Sequence, residues 1–87
     1  MAEHLRRVIR EHHFEIELRA LIKDAIAADQ FVEAAEFLLV RDPQIGFQLA
    51  PDSAIWFLPM TTIEDAQVSL YYTFDDSTVW LLSIARI

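Results

Sequence analysis

The spacing of apolar residues changes period once along this chain, and the change falls at Asp42-Pro43. Upstream, Leu18, Leu21, Ile22, Ala25 and Ile26 keep helical spacing, and so do Phe31, Ala34, Ala35, Leu38 and Leu39. The spacing predicts one helix over roughly residues 15–28 and a second beyond it, with Asp29 as its N-cap and Glu33 near its first turn. Leu5, Val8, Ile9 and His12 predict a further helix over residues 2–11, with only His12 to Ile16 available for an initial strand. Proline disfavours the α conformation in the residue before it, so the helical part must end near Arg41-Asp42. The only glycine, Gly46, follows closely and is expected at positive φ.

Downstream the period is two. Ala54–Met60 reads as a strand, with Pro59 marking its end or an edge position. Gln67–Phe74 alternates, with Val68, Leu70, Tyr72 and Phe74 on one face and Gln67, Ser69, Tyr71 and Thr73 on the other. Pro51-Asp52-Ser53 and Asp75-Asp76-Ser77 are turn signals. Thr78–Ile87 is apolar on both faces and is expected to be covered on both. Helices first and strands after imply a single α+β domain over residues 1–87, its N-terminal helices packed on one face of a C-terminal antiparallel meander.

At 87 residues a domain buries only about 60–65% of the surface its unfolded chain exposes, yet 54% of the residues are hydrophobic. That surplus of apolar side chains implies a covering partner, most simply a second copy of the chain. The net charge of −7 opposes binding to nucleic acid or to anionic membranes. The absence of cysteine removes disulfides, thiolate metal sites and a cysteine nucleophile, and fits a cytoplasmic protein. No apolar run approaches the roughly 18 residues of a membrane span, and the N-terminal segment lacks the apolar centre of a signal peptide.

The charge is unevenly placed. Residues 42–85 contain Asp42, Asp52, Glu64, Asp65, Asp75 and Asp76, but no lysine or arginine. Within this half, the segment from Phe37 through Asp42-Pro43-Gln44-Ile45-Gly46 reads as a helix end followed by an Asp-Pro-x-x-Gly turn. Val68 to Arg86 reads as an aromatic strand, an acidic turn and an apolar strand ending at a basic residue. In that order and spacing, with Ala54–Pro59 as the strand between, the two segments resemble the RelE/ParE-like toxins of bacterial toxin–antitoxin (plasmid-stabilisation) systems over roughly residues 31–86. The resemblance implies two helices packed on a twisted antiparallel sheet, often entered by a short N-terminal strand. The helical reading of residues 2–28 departs from that last feature.

The resemblance also implies chemistry that the residues here do not supply. RNA-cutting members carry Lys and Arg on the sheet face opposite the helices, where they stabilise phosphate charge and assist proton transfer. Here the middle strand offers Ile55-Trp56-Phe57-Leu58, and the family's strand arginine falls at Val68 or Ser69. Only Arg86 matches a basic position, as a weak catalytic candidate. The expectation is therefore a toxin-like fold acting by protein–protein contact without ribonuclease activity, as a homodimer through Trp56, Trp80, Leu82 and Ile84. An antitoxin-like protein is a second expected partner. The alternatives are an active toxin that cleaves mRNA or inhibits gyrase, and an unrelated homo-oligomeric domain.

Other candidate sites are weaker. Tyr71 and Tyr72 could donate protons, but adjacent tyrosines in a strand ordinarily place one ring in the core and one opposite. The two tryptophans could stack bases only beside a basic groove, and none is present. His12-His13 with Glu11 and Glu15 could seed a metal site, but neighbouring histidines on a helix project in different directions, and His4 is eight residues from His12. Arg6, Arg7 and Arg10 read as a solvated helix face diluted by Glu3 and Glu11. Asp75-Asp76 reads as a turn, and the serines have no nucleophile motif around them. One glycine rules out a Gly-rich phosphate loop. No cofactor or metal is expected.

Overall fold

The computed structural model describes residues 5–62 and 64–87. In chain order its elements are β1 (Arg7–Arg10), α1 (His12–Leu21), α2 (Ala25–Leu39), a one-turn 3-10 segment (Pro43–Ile45), β2 (Phe47–Gln48), β3 (Trp56–Thr61), β4 (Gln67–Phe74) and β5 (Thr78–Arg86). The strands form one five-stranded sheet in the order β1-β5-β4-β3-β2. The fold is α+β, as the change of period implies, but the sheet is mixed: β2 to β5 form an antiparallel meander, and β1 runs parallel to β5.

Strand β1 replaces the helix expected over residues 2–11. Its Cα partners pair Arg7 with Thr78 and Arg10 with Leu81, which closes the free edge of β5. The amphipathic spacing of this segment fits a helix locally. Adjacent β-branched residues, Val8 and Ile9, also suit a strand, and pairing with β5 decides between the two. The chain then turns directly into α1, so His12 to Ile16, the stretch available for an initial strand in the sequence, is helical and the strand lies at Arg7–Arg10 instead. Residues 1–4, with Glu3 and His4, lie outside the described residues.

The boundary between the helices also differs from the sequence reading. α1 ends at Leu21, and Asp24 caps α2 by accepting a hydrogen bond from the Ile26 amide at 3.0 Å. Asp29, expected to be the cap, lies inside α2. The buried stripe of α2 is Ala28, Val32, Ala35 and Leu39, whereas Ala34 and Leu38 are exposed. With Phe14 and Leu18 of α1, this stripe packs on Leu58, Val68, Leu70, Tyr72, Val79, Leu81 and Ile84 of the sheet. Each of these large side chains contributes about 1.5–3 kcal/mol of transfer free energy on full burial.

Several turns act as the sequence implies. The Asp75 carboxylate accepts from the amides of Ser77 and Thr78 at 2.8 and 2.9 Å, which closes the β4–β5 hairpin. Asp52, in the β2–β3 connection, and Asp65, in the β3–β4 connection, sit at φ 62° and 63°. Aspartate tolerates this left-handed conformation better than most side chains. Gly46 has φ −83°, so positive φ does not explain it. A Cβ there would overlap the Phe57 carbonyl and the Tyr72 hydroxyl. Glycine is needed because the 3-10 turn lies directly against β3 and β4. Pro59 falls where β3 pairs with β4 but no longer with β2, the edge position its missing N–H demands. Among the described residues, no helix is long and apolar enough to cross a membrane.

Candidate interaction face

The helices cover one face of the sheet. Alternation assigns Trp56, Leu58 and Met60 of β3, and Val68, Leu70, Tyr72 and Phe74 of β4, to that inner face. The outer face carries Phe47, Phe57, Tyr71, Thr73 and Trp80, with Ile9 at the β1 edge. Phe47 is directly opposite Phe57, and Phe57 opposite Tyr71, so three rings cross the sheet in one row. Their centroids are 5.6 and 6.2 Å apart, within the range of favourable aromatic pairs. Phe47 remains 59% exposed and Ile9 39%, while Phe57, Tyr71 and Trp80 are half-buried.

No outer-face position of β2 to β5 is charged; Arg7, on β1, is the one cation with this orientation within the strands. Arg86 pairs with Val68 and therefore belongs to the inner-face side, away from Tyr71 and Phe57. The sheet thus does not bring its one basic candidate together with the outer rings. Among the described residues, the outer face of β2 to β5 carries no cation to neutralise a phosphate.

The four expected interface residues divide. Trp80 lies on the outer face, in register with Thr73. Trp56 pairs with Tyr72, packs against the core, and meets the Phe74 ring at 5.6 Å in a tilted arrangement, so it belongs to the inner face. Ile84 is only 1% exposed and is part of the core. The reason is a β-bulge. Tyr72 pairs with Leu81 and Tyr71 with Ser83, which leaves Leu82 as an extra residue and reverses the alternation beyond it. Leu82 itself is half-buried at the bulge. Phe47 and Phe57 complete the aromatic row and were not singled out by the sequence reading. The signal for Phe57 was its position between the inward Trp56 and Leu58.

The tyrosine pair splits as expected. Tyr72 is fully buried and its hydroxyl donates to the Pro43 carbonyl at 2.6 Å. Burial pushes its pKa up to about 12, with the Asp42 charge adding to the rise and a hydrogen bond to the Gly46 backbone opposing it. Tyr72 is thus an anchor for the 3-10 turn, its proton committed to the Pro43 carbonyl.

The basic N-terminal cluster is dispersed by folding into a strand. Arg6 donates to the Asp75 carbonyl at 2.7 Å and lies over the Phe74 ring. Arg10 meets Glu36 at 2.9 Å, Asp29 at 3.2 Å and Glu15 at 3.6 Å, tying the end of β1 to both helices. The hydrogen bond to Glu36 outweighs burial and holds the guanidinium charged above its ordinary range. Of these three arginines, Arg7 alone is exposed.

His12 and His13 are both exposed on α1, and no three metal-ligating side chains come together among the described residues. His13 instead approaches Glu17 at 3.3 Å. The Glu17 carboxylate also accepts from the Ser83 hydroxyl at 2.6 Å and the Ile84 amide at 3.1 Å. Those donors belong to β5 just past the last β1 pair, so a helix side chain replaces the missing strand at the bulge. The acid sits between serine and histidine, and His13 makes no hydrogen bond to Ser83 among the described residues. Burial raises the Glu17 pKa, but the hydrogen bonds from Ser83 and Ile84 and the neighbouring His13 outweigh it and bring the pKa below its ordinary value.

No family model, curated protein or solved structure matches the chain.

Proposed function

We propose that this chain is a RelE/ParE-like toxin-fold protein that acts by protein–protein contact through the outer face of its sheet, without ribonuclease activity. The observation that carries the reading is the uncharged outer face of β2 to β5 with its row Phe47, Phe57 and Tyr71 and the neighbouring Trp80. Strand β1, ahead of the two helices, supports the fold assignment, because a short N-terminal strand commonly enters that fold. The partner is a second copy. At −7 per chain, two copies repel unless they meet on a surface free of acids, and this face is one.

Sedimentation of the intact chain and of Trp80→Glu tests the contact. The expected result is a dimer converted to a folded monomer by the substitution, since a buried unpaired carboxylate at the contact costs several kcal/mol. A monomer before and after substitution removes the dimer claim. Growth on induced expression tests the other half: arrest that Arg86→Ala relieves would overturn the claim that ribonuclease chemistry is absent.

A further inference from the structure

A second feature lies at the opposite side of the sheet from the aromatic row. Between the α1–α2 connection and the β3–β4 connection, the helical layer and the inner face separate into a cleft of about 790 Å³. That volume falls within the roughly 300–1,000 Å³ typical of small-molecule sites. Leu21, Ile22, Ala27, Phe31 and Val68 provide apolar walls. Such a cleft is too large to be a packing defect of one missing methyl group, and its walls are the rim of the core itself.

Two cations line this cleft, Lys23 from the interhelical connection and Arg86 from the end of β5. Neither side chain makes a salt bridge or hydrogen bond among the described residues. Arg6, Arg10 and Arg41 are engaged elsewhere, which leaves Lys23 and Arg86, with Arg7 and Arg19 outside the cleft, as the cations without such a partner among the described residues. Two acids also line the cleft. Asp24 already accepts from the Ile26 amide at the start of α2, so its charge is partly committed. Glu64 has no partner among the described residues and would oppose an anion at the lip.

We propose that this cleft binds a free single-chain amphipathic carboxylate, with its hydrocarbon chain against Ile22, Phe31 and Val68 and its carboxylate held by Arg86 and Lys23. The apolar walls account for most of the burial, and the guanidinium supplies a planar pair of donors suited to a carboxylate. Arg86 then has a binding role on the inner side of the sheet. The inference is independent of the outer-face contact and of the toxin-fold reading.

The test is titration of the full-length protein with decanoate, below its aggregation concentration, followed by amide chemical shifts. Saturable shifts are expected at Ile22, Ala27 and Val68, with Thr73 and Trp80 unmoved. A cationic amphiphile of the same chain length is the charge control and should bind at least tenfold more weakly. The Lys23→Gln/Arg86→Gln double variant should weaken decanoate tenfold or more while keeping the unliganded spectrum. Glu64→Gln should tighten it several-fold. Ala27→Phe, which fills the cleft from a half-buried position on α2, should abolish saturable binding. The proposal is overturned by absence of saturable binding, by equal affinity for the cationic amphiphile, by a double variant that binds like the parent, or by shifts confined to the outer face.

Discussion

The two faces of the sheet are both apolar, yet only one is covered by the chain's own helices. On the inner face Val68, Leu70, Tyr72, Val79 and Leu81 are fully buried. On the outer face Phe57, Tyr71 and Trp80 are half-exposed, and Phe47 and Ile9 more so. Trp80 and Leu81 are neighbours in sequence and of similar hydrophobic character, and they differ only in which layer meets them. The contrast separates what this chain needs in order to fold from what it has left for a partner. Apolar area on the inner face contributes to folding, and the same area on the outer face contributes only when something docks there.

Deletion of one side chain from each face tests that separation most strongly. Leu81→Ala should cost about 2–5 kcal/mol of unfolding free energy, because it removes transfer free energy and leaves a cavity beneath helices that cannot fully collapse. Trp80→Ala, measured on the monomer by urea denaturation at low concentration, should cost about 1 kcal/mol or less despite removing more atoms. At concentrations where the chain self-associates, Trp80→Ala should lower the midpoint further through lost mass-action stabilisation. Equal costs for the two variants in the monomer would break the comparison between the faces.

The adjacent tyrosines sharpen it. Tyr72, on the inner face, keeps its proton to about pH 12 because burial disfavours the phenolate. An unfolded tyrosine releases its proton near pH 10. The folded state therefore binds more protons than the unfolded state between these values, and stability falls as pH rises from 10 to 12. A shift of this size corresponds to about 2–3 kcal/mol lost by pH 12. Tyr72→Phe should flatten this alkaline limb and, at neutral pH, cost about 1 kcal/mol for the lost hydrogen bond to the Pro43 carbonyl. Tyr71→Phe should leave the limb in place. Guanidinium melts of the two variants at pH 8 to 11.5 distinguish these outcomes.

How far the sequence carries depends on where each residue's partner lies. β4 is legible as Gln67–Phe74 because it alternates strictly between two turn signals, and the structure has the same bounds. β1 is not, because the groups that make Arg7–Arg10 a strand belong to Thr78–Leu81 at the other end of the chain. Local spacing there fits a helix equally well. The helix boundary at Ile22–Asp24 was hidden for a related reason: Ala25 to Ala28 suit the end of one helix or the start of the next. Strict alternation puts Trp80, Leu82 and Ile84 on one face, and only the extra residue at the bulge turns Ile84 into the core. Bulges leave little signal in a strand that is apolar on both sides. The absence of cations from residues 42–85 was fully legible, since it requires no knowledge of orientation. The demand for glycine at position 46 was visible, but its cause, close contact with Phe57 and Tyr72, was not.

The covering of the inner face extends to the sheet edge, and Glu17 is where that can be tested with the smallest change. Past Arg10, β1 no longer pairs with β5, and the Ile84 amide at the bulge finds its acceptor on α1 instead. Glu17→Gln keeps an acceptor of the same shape but weakens the charge-assisted bonds from Ser83 and Ile84, so about 1 kcal/mol should be lost at pH 7. Because hydrogen bonds hold the folded pKa of Glu17 below its unfolded value, its contribution is fully present above about pH 4.3 and disappears as pH falls through the folded value. The gap between the parent and Glu17→Gln should therefore close on acidification over that window and stay constant above it. Thermal melts of both proteins from pH 2.5 to 8 measure the gap. A gap independent of pH would mean that Glu17 acts by shape alone, and that the edge of β5 does not depend on the carboxylate's charge.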